Sequence, residues 1–86
     1  MKYELVYTRR AEKDIEKLEP RVRDRIGKAL LRYREDPLRF AETLSDPILG
    51  GYRFRIGDYR VIFDVQGNEV VVLRVGHRRE IYRVRK

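Results

Sequence analysis

The sequence contains no cysteine and only one histidine, His77, among its 86 residues. The absence of cysteine excludes disulfide bonds and thiolate zinc sites, and it fits a reducing compartment. One histidine and scattered carboxylates form no recognisable set of metal ligands, and no glycine-rich phosphate loop of the Walker or dinucleotide kind is present. We therefore expect neither a metal nor a small-molecule cofactor.

Long apolar runs are also missing. No stretch approaches the ~18 apolar residues of a membrane-spanning helix, and the opening MKYELVYTRR shows no apolar signal-peptide core. We expect a cytoplasmic protein with no membrane partner. The length suits a single domain over residues 1–86 without internal repeats, and 42% apolar residues argue against disorder.

Acidic residues are scarce relative to basic ones. The chain has 21 lysines and arginines against 14 acidic residues, a net charge of +7. Residues 1–52 carry 12 basic and 10 acidic side chains (net +2), whereas residues 53–86 carry 9 and 4 (net +5). Because a basic surface attracts phosphates through counterion release, nucleic acid is the leading partner class, ahead of acidic protein or anionic lipid.

The hydropathy pattern predicts an α+β fold with the order β-α-α-β-β-β. A first strand spans 2–7, Thr8 is a suitable N-cap, and two amphipathic helices follow on either side of Pro20. The second helix should end before Pro37, and residues 37–51 are expected to be irregular. The apolar helix positions are Ala11, Ile15, Leu18, Val22, Ile26, Ala29, Leu30 and Tyr33. Both helices should pack on one face of an antiparallel sheet.

Three C-terminal strands are expected at YRFRI (52–56), YRVIFDV (59–65) and EVVVLRV (69–75). Short loops make them antiparallel neighbours. A two-residue type II′ turn at Gly57-Asp58 places Arg55 opposite Arg60. The tail GHRREIYRVRK could add a short strand around 81–84.

Strand alternation then gathers Arg53, Arg55 and Arg60 on the face opposite Phe54, Val61 and Phe63. The next hairpin has two plausible registers. We prefer the one that aligns Val61 with Leu73 and Phe63 with Val71, because the other would bury Arg74. The preferred register puts Arg74 beside Arg60.

Like charges opposite each other destabilise a sheet. We therefore interpret the clustered arginines as an anion site, the alternative being an ordinary solvated polar face. The segment VGHRREIYR adds His77, Arg78, Arg79 and Tyr82. Histidine ordinarily titrates near neutral pH and could transfer a proton, although a lone histidine is more often structural or simply exposed. Tyr82 could lie in the core or stack on a base, as aromatic residues beside arginines do in proteins that bind single-stranded nucleic acid.

Together, YRFRIGDYRVIFDV and VVVLRVGHRREIY closely resemble the RelE/ParE superfamily of toxin–antitoxin toxins, and its RelE branch in particular, over essentially the whole chain. The resemblance implies a ribosome-dependent endoribonuclease that cuts mRNA by metal-independent attack of the 2′-OH on its phosphate. It also implies a cognate antitoxin that neutralises the toxin. The alternatives are a ParE-type inhibitor of DNA gyrase and a non-catalytic basic RNA-binding module.

The resemblance also suggests roles for individual residues. Arg53 and Arg55 match two basic positions that look like lysines in well-known members. Arg60 matches the arginine that holds the scissile phosphate, Arg78 a proposed general acid, and Tyr82 the aromatic residue that stacks on a base. Arginine is a poor general base because its high pKa keeps it protonated at neutral pH, so His77 is the candidate proton carrier. The expected catalytic residues are Arg55, Arg60, His77, Arg78 and Tyr82, and the expected RNA-binding residues are Arg53, Arg74 and Arg79.

Overall fold

Two helices pack against a five-stranded sheet in the computed structural model of the chain, which describes residues 2–45 and 50–82. The elements in chain order are β1 (Glu4–Tyr7), α1 (Arg9–Glu16), α2 (Pro20–Tyr33), α3 (Pro37–Phe40), β2 (Glu42–Thr43), β3 (Tyr52–Ile56), β4 (Tyr59–Gln66) and β5 (Glu69–His77). The predicted α+β class with two N-terminal helices on one face is confirmed.

The strands lie in the order β1-β5-β4-β3-β2. The long strands β3, β4 and β5 pair antiparallel, as expected. β1 pairs parallel with β5, so that Leu5 lies beside Val70, and the sheet is therefore mixed. This order places the first strand beside the last one, and β4 occupies the centre of the sheet.

Both helices form where the sequence indicates. The Thr8 side chain accepts a hydrogen bond from Ala11 N at 3.1 Å and caps α1, and Pro20 is the first residue of α2. The apolar helix positions named above all belong to the core cluster or pack against it. Ile26 and Leu30 of α2 are almost fully buried. Burying this stripe against the sheet is the main force that holds the two layers together.

The segment expected to be irregular contains two short elements. α3 is a single turn, and β2 pairs with β3 so that Glu42 lies beside Arg53. Elements of four and two residues are too short to show a periodic pattern, which explains why the sequence did not indicate them. Ile81 and Tyr82 lie in a turn rather than a strand, and the rest of the suggested 81–84 strand falls outside the described residues.

The β3–β4 hairpin has the predicted register, with Arg55 opposite Arg60 and Arg53 opposite Ile62. Gly57 has a φ of 62°, and none of the described non-glycine residues has a positive φ. A type I′ turn would require positive φ at both central residues, so Gly57-Asp58 fits the predicted type II′ turn.

The predicted register of the β4–β5 hairpin is wrong. Val61 pairs with Val75 and Ile62 with Arg74, but Phe63 pairs with Val72, so a bulge makes Leu73 an extra residue. The bulge lets β5 bury Val70, Val72 and Val75 in the helix-side core without burying Arg74. Arg60 consequently lies opposite Gly76 instead of beside Arg74.

Across residues 2–45 and 50–82, no helix has both the length and the apolar character needed to span a membrane.

Candidate nucleic-acid interface

Three arginines lie on the side of the β3–β4 hairpin that faces away from the buried helix-side residues. Arg53 and Arg55 alternate along β3 with the buried Phe54, and Arg60 precedes the buried Val61 on β4. We call Arg53, Arg55 and Arg60 the arginine face. Its formation follows from strand alternation and the two-residue turn, as the sequence predicts.

Tyr82 joins the arginine face from the turn that follows β5. Arg53 Nη1 donates a hydrogen bond to Tyr82 Oη at 2.7 Å, and the Arg53 guanidinium carbon lies 5.5 Å from the centre of the tyrosine ring. The ring is only partly buried. Tyr82 therefore lies beside the arginines, outside the helix-side core, and the contact with Arg53 fixes its position.

Glu42 supplies a carboxylate at the same place. Its Oε1 accepts a hydrogen bond from Arg53 Nε at 2.7 Å and lies 3.5 Å from Arg55 Nε. The hydrogen bond from Arg53 is the largest cause of the lowered pKa of Glu42, and the charges of Arg55, Arg53 and Arg60 act in the same direction. The same hydrogen bond raises the pKa of Arg53. Sequence reasoning missed Glu42, because nothing in the pattern around residues 42–43 marks a strand.

Arg60 is 7% exposed, although it carries a charge. Its Nη1 donates to the backbone oxygens of Gly57 at 3.0 Å and Tyr59 at 2.9 Å. Within the described residues it forms no ion pair with a carboxylate. A largely buried guanidinium without a direct carboxylate partner attracts an incoming anion, and the nearby charge of Glu42 offsets part of that attraction.

Arg78 lies at the tip of the β3–β4 hairpin. Its backbone N donates to Asp58 O at 2.8 Å, and its Nε lies 3.5 Å from Asp58 Oδ1. Both side chains of this ion pair are more than half exposed, so the pair contributes little stability and leaves Arg78 free to exchange partners. Arg79 is exposed next to it.

His77 lies apart from the arginine face. Its ring contacts Tyr59 edge-on at 5.3 Å, and Tyr59 packs against the helix-side core. His77 Nδ1 accepts a hydrogen bond from Arg79 N at 3.1 Å, which leaves Nε2 as the nitrogen available for proton transfer. A cavity of about 500 Å³ that His77 helps to line also includes Arg74 but none of the arginine-face residues.

Arg74 does not form the expected fourth member of the arginine face. Its Nε donates to Asp14 Oδ2 at 2.8 Å, and the same oxygen accepts from Val75 N at 3.0 Å. Arg74 therefore ties α1 to the outer edge of β5. The bulge in β5 removes the geometric basis on which an RNA contact by Arg74 was predicted.

Among residues 2–45 and 50–82, no group of three or more histidine, aspartate or glutamate side chains is arranged to hold a metal ion. The arginine face and its neighbours Tyr82 and Glu42 offer guanidinium groups, a phenol and a carboxylate. Such a set can neutralise a phosphate, stack on a base and orient both.

Residues 5–82 match the family described as "ParE toxin of type II toxin-antitoxin system, parDE". The match spans the helices, the whole arginine face and Tyr82. The chain therefore belongs to this family of type II toxin–antitoxin toxins, within the RelE/ParE superfamily that its sequence resembles.

Several of the similar proteins are RelE-type toxins or come from RelBE complexes. Toxin RelG of Mycobacterium tuberculosis is 35% identical, with 96% of this chain and 99% of that protein aligned. The toxin–antitoxin complex RelBE2 of the same organism contains a chain with 29% identity and a TM-score of 0.82, covering 90% of this chain and 99% of that one. A chain of the intact Escherichia coli RelBE complex gives 28% identity and a TM-score of 0.74 over 87% and 95% of the two chains.

Proposed function

We propose that this toxin is a ribosome-dependent endoribonuclease that cleaves mRNA by metal-independent attack of the 2′-OH on the adjacent phosphate. The observation that carries the proposal is the contact between Arg53 and Tyr82 on the arginine face. It brings a phosphate-binding cation and a base-stacking ring together where Arg55 and Arg60 are close by. Such a combination suits a single RNA strand held by both its backbone and its bases.

The residues present favour electrostatic catalysis. Attack by the 2′-OH crowds negative charge onto the phosphate, and arginines placed around it stabilise that charge. Arg60 is the proposed anchor of the scissile phosphate. It is largely buried and has no carboxylate partner among the described residues. Arg55 and Arg78 supply further positive charge around the same phosphate. Tyr82 stacks on a neighbouring base. Arg53 and Arg79 bind the flanking backbone.

Proton transfer is the step for which the arginine face is poorly equipped, because arginine does not give up its proton at neutral pH. His77 Nε2 could assist, but its ring lies with Tyr59 rather than with Arg53 and Arg60. We therefore assign His77 a secondary role. The main acceleration comes from positioning the RNA strand and neutralising its phosphate.

We further propose that a cognate antitoxin binds and neutralises this toxin in the cytoplasm, where ribosomes are found. The similar chains RelBE2 and E. coli RelBE were solved as toxin–antitoxin complexes. The net charge of +5 over residues 53–86 favours an antitoxin segment with acidic residues.

A second candidate function is inhibition of DNA gyrase, because the matching family is named for ParE. One experiment separates the possibilities. The purified protein is added to translating ribosomes, with primer extension on the mRNA, and in parallel to gyrase with relaxed plasmid. Cuts at fixed codon positions support the proposal. Inhibited supercoiling with intact mRNA would indicate a ParE-type toxin, and RNA binding without either effect would indicate a non-catalytic module.

A further inference from the structure

A second basic surface runs along α2, outside the arginine face. Arg21, Arg25, Lys28 and Arg32 recur at i, i+4, i+7 and i+11, which aligns them along one side of the helix for about 16 Å. All four are exposed. We call these residues the α2 stripe.

The α2 stripe is unfavourable for the helix that carries it. Each neighbouring pair along the stripe brings like charges within one turn, and such pairs destabilise a helix. The first turn of α2 contains no acidic residue, and Arg21 lies there, where the helix dipole disfavours a cation. The helix dipole favours Arg32 in the last turn, and Lys28 pairs with Asp24, but neither effect explains four like charges along one side of the helix, whereas binding of an anion would.

Three residues of the stripe converge with a residue of the arginine face around one cavity. The cavity, of about 310 Å³, is lined by Arg25, Lys28 and Arg32 from α2 and by Arg55 from β3, and no acidic residue lines it. The Arg25 guanidinium packs on the hairpin turn, 2.8 Å from where a β-carbon on Gly57 would lie. Within the described residues Arg25 and Arg32 form no ion pair, and Lys28 has only an exposed one with Asp24 at 3.2 Å.

Aromatic rings continue this surface beyond Arg32. Tyr33 stacks on Phe40 with ring centres 4.7 Å apart, and Phe40 is 41% exposed. The Arg32 guanidinium lies 5.2 Å from the Tyr33 ring centre, and that of Arg39 lies 5.8 Å from the Phe40 ring centre. Cations alternating with an exposed ring suit RNA, because its phosphates can bind the cations while its bases stack on the ring.

We propose that the α2 stripe is a second RNA-binding site, which holds phosphates of an RNA segment other than the one cleaved. Arg55 belongs to both surfaces, since it lines the α2 cavity and lies 3.5 Å from Glu42 on the arginine face. Because the arginine face points away from the helix side of the sheet, an RNA bound to both surfaces would pass around the edge of β3 at Arg55, beyond the residues that pair with β2. This inference rests on the proposed function, because it takes RNA as the ligand of both surfaces.

The test is equilibrium binding of a short fluorescein-labelled single-stranded RNA, followed by anisotropy over a salt series without ribosomes. The variant replaces Arg25, Lys28 and Arg32 by glutamine and leaves Arg55 unchanged. Its affinity should fall at least about tenfold at low salt. The slope of log affinity against log salt should become shallower by about 2, because each lost contact to a single strand contributes about 0.7.

The matched control replaces Lys2, Arg9 and Lys13 by glutamine, which removes the same charge from exposed positions distant in sequence from the stripe. Its salt slope should stay close to that of the wild type. Glutamine is a good helix former and the like-charge pairs disappear, so the stripe variant should melt no lower than the wild type. Equal affinity and slope in the two triple variants would overturn the proposal.

Two further outcomes are informative. The first tests the second RNA site independently of the proposed function, and the second tests whether the ligand of the stripe is an acidic protein instead of RNA. Stripe-dependent RNA binding by a wild-type protein that leaves ribosome-bound mRNA intact would contradict the proposed function and support the second site. Loss of binding to poly-L-glutamate in the stripe variant, with RNA affinity unchanged, would assign the stripe to an acidic protein and overturn the inference.

Discussion

Glu42 neutralises part of the arginine face while no RNA is bound. One of its oxygens lies 2.7 Å from Arg53 Nε and 3.5 Å from Arg55 Nε, which is where a phosphate oxygen would compete for the same donors. Under the proposed function, an RNA phosphate would therefore have to displace a carboxylate that is already bound. The carboxylate also keeps Arg53 in the position from which it contacts Tyr82.

Replacing Glu42 by glutamine should strengthen RNA binding several-fold at low salt. The substitution removes a competing negative charge beside Arg53 and Arg55, and salt should shrink the gain because the pair is partly exposed to solvent. Anisotropy with labelled RNA measures the change. Glu16→Gln, an exposed substitution on α1 with the same charge difference, is the control. Equal affinities of the two variants would show that Glu42 does not compete with RNA.

Glu42 should also make the free energy of unfolding depend on pH. The hydrogen bond from Arg53 lowers the pKa of Glu42 below its ordinary value of 4.5 in the folded state. The ion pair therefore stabilises the fold fully above the unfolded pKa, and this contribution is lost as the pH falls through the lowered folded pKa. Urea unfolding of wild type and Glu42→Gln should differ by a constant amount near neutral pH and converge in acid. A difference that grows in acid would contradict the assignment.

His77 provides a third test at the scale of a residue. A histidine that transfers the proton at the reacting phosphate typically contributes ~10²–10⁴-fold to the rate. Because His77 contacts Tyr59 and not the arginine face, we expect His77→Ala to slow single-turnover cleavage by less than about tenfold. A loss of a hundredfold or more, together with a changed pH profile, would make His77 the proton carrier.

Among the elements, α1 protects the part of β5 that β1 does not cover. β1 pairs with Glu69–Val72 only, and beyond this point polar groups of Thr8 and α1 replace a neighbouring strand. Thr8 Oγ1 donates to Leu73 O at 3.2 Å, and Asp14 Oδ2 accepts from Val75 N at 3.0 Å. An edge strand with paired backbone groups is less prone to pair with other chains.

Asp14→Ala should lower the free energy of unfolding by about 2 kcal/mol, because it leaves Val75 N and Arg74 Nε without their acceptor in a partly buried place. Asp14→Asn should cost less, since an amide oxygen can still accept from one of them. Urea unfolding followed by circular dichroism measures both. Equal, small losses in the two variants would mean that water replaces Asp14 as the acceptor for Val75 N and Arg74 Nε.

The β3–β4 hairpin could be predicted from the sequence down to its register, whereas the β4–β5 hairpin could not. A two-residue turn with glycine at its first position leaves one pairing for YRFRI and YRVIFDV. The run VVVLRV is apolar at every position but one, so its pattern does not specify which residues face the core. The bulge at Leu73 depends on packing on both sides of the sheet, which the local pattern does not contain.

The candidate site, too, could be predicted from the sequence only in part. Arg53, Arg55 and Arg60 follow from alternation on strands of ordinary length, and their shared face was predicted. Glu42 reaches them from a two-residue strand, and Asp14 removes Arg74 from their neighbourhood through a contact 60 residues apart in the sequence. Such long-range carboxylate contacts leave no local signal in the sequence.

At the scale of the whole molecule, a net charge of +7 on 86 residues should make the proposed RNA binding depend on salt. Phosphate neutralisation by the arginine face and the α2 stripe should give a linear fall of log affinity with log salt. Filter binding or anisotropy between low and physiological salt measures the slope. An affinity that does not change with salt would show that base stacking, and not the basic surface, holds the RNA.

We propose that the arginine face carries out the cleavage of mRNA on the ribosome. The most direct test is the single-turnover cleavage rate of ribosome-bound mRNA by Arg60→Ala, measured by primer extension beside Lys13→Ala as an exposed control on α1. Thermal melting must show that both variants are folded. We expect Arg60→Ala to cleave at least about 100-fold more slowly, the usual cost of losing a group that stabilises transition-state charge, and Lys13→Ala to stay close to wild type. Rates for Arg60→Ala within about threefold of wild type would contradict the proposal.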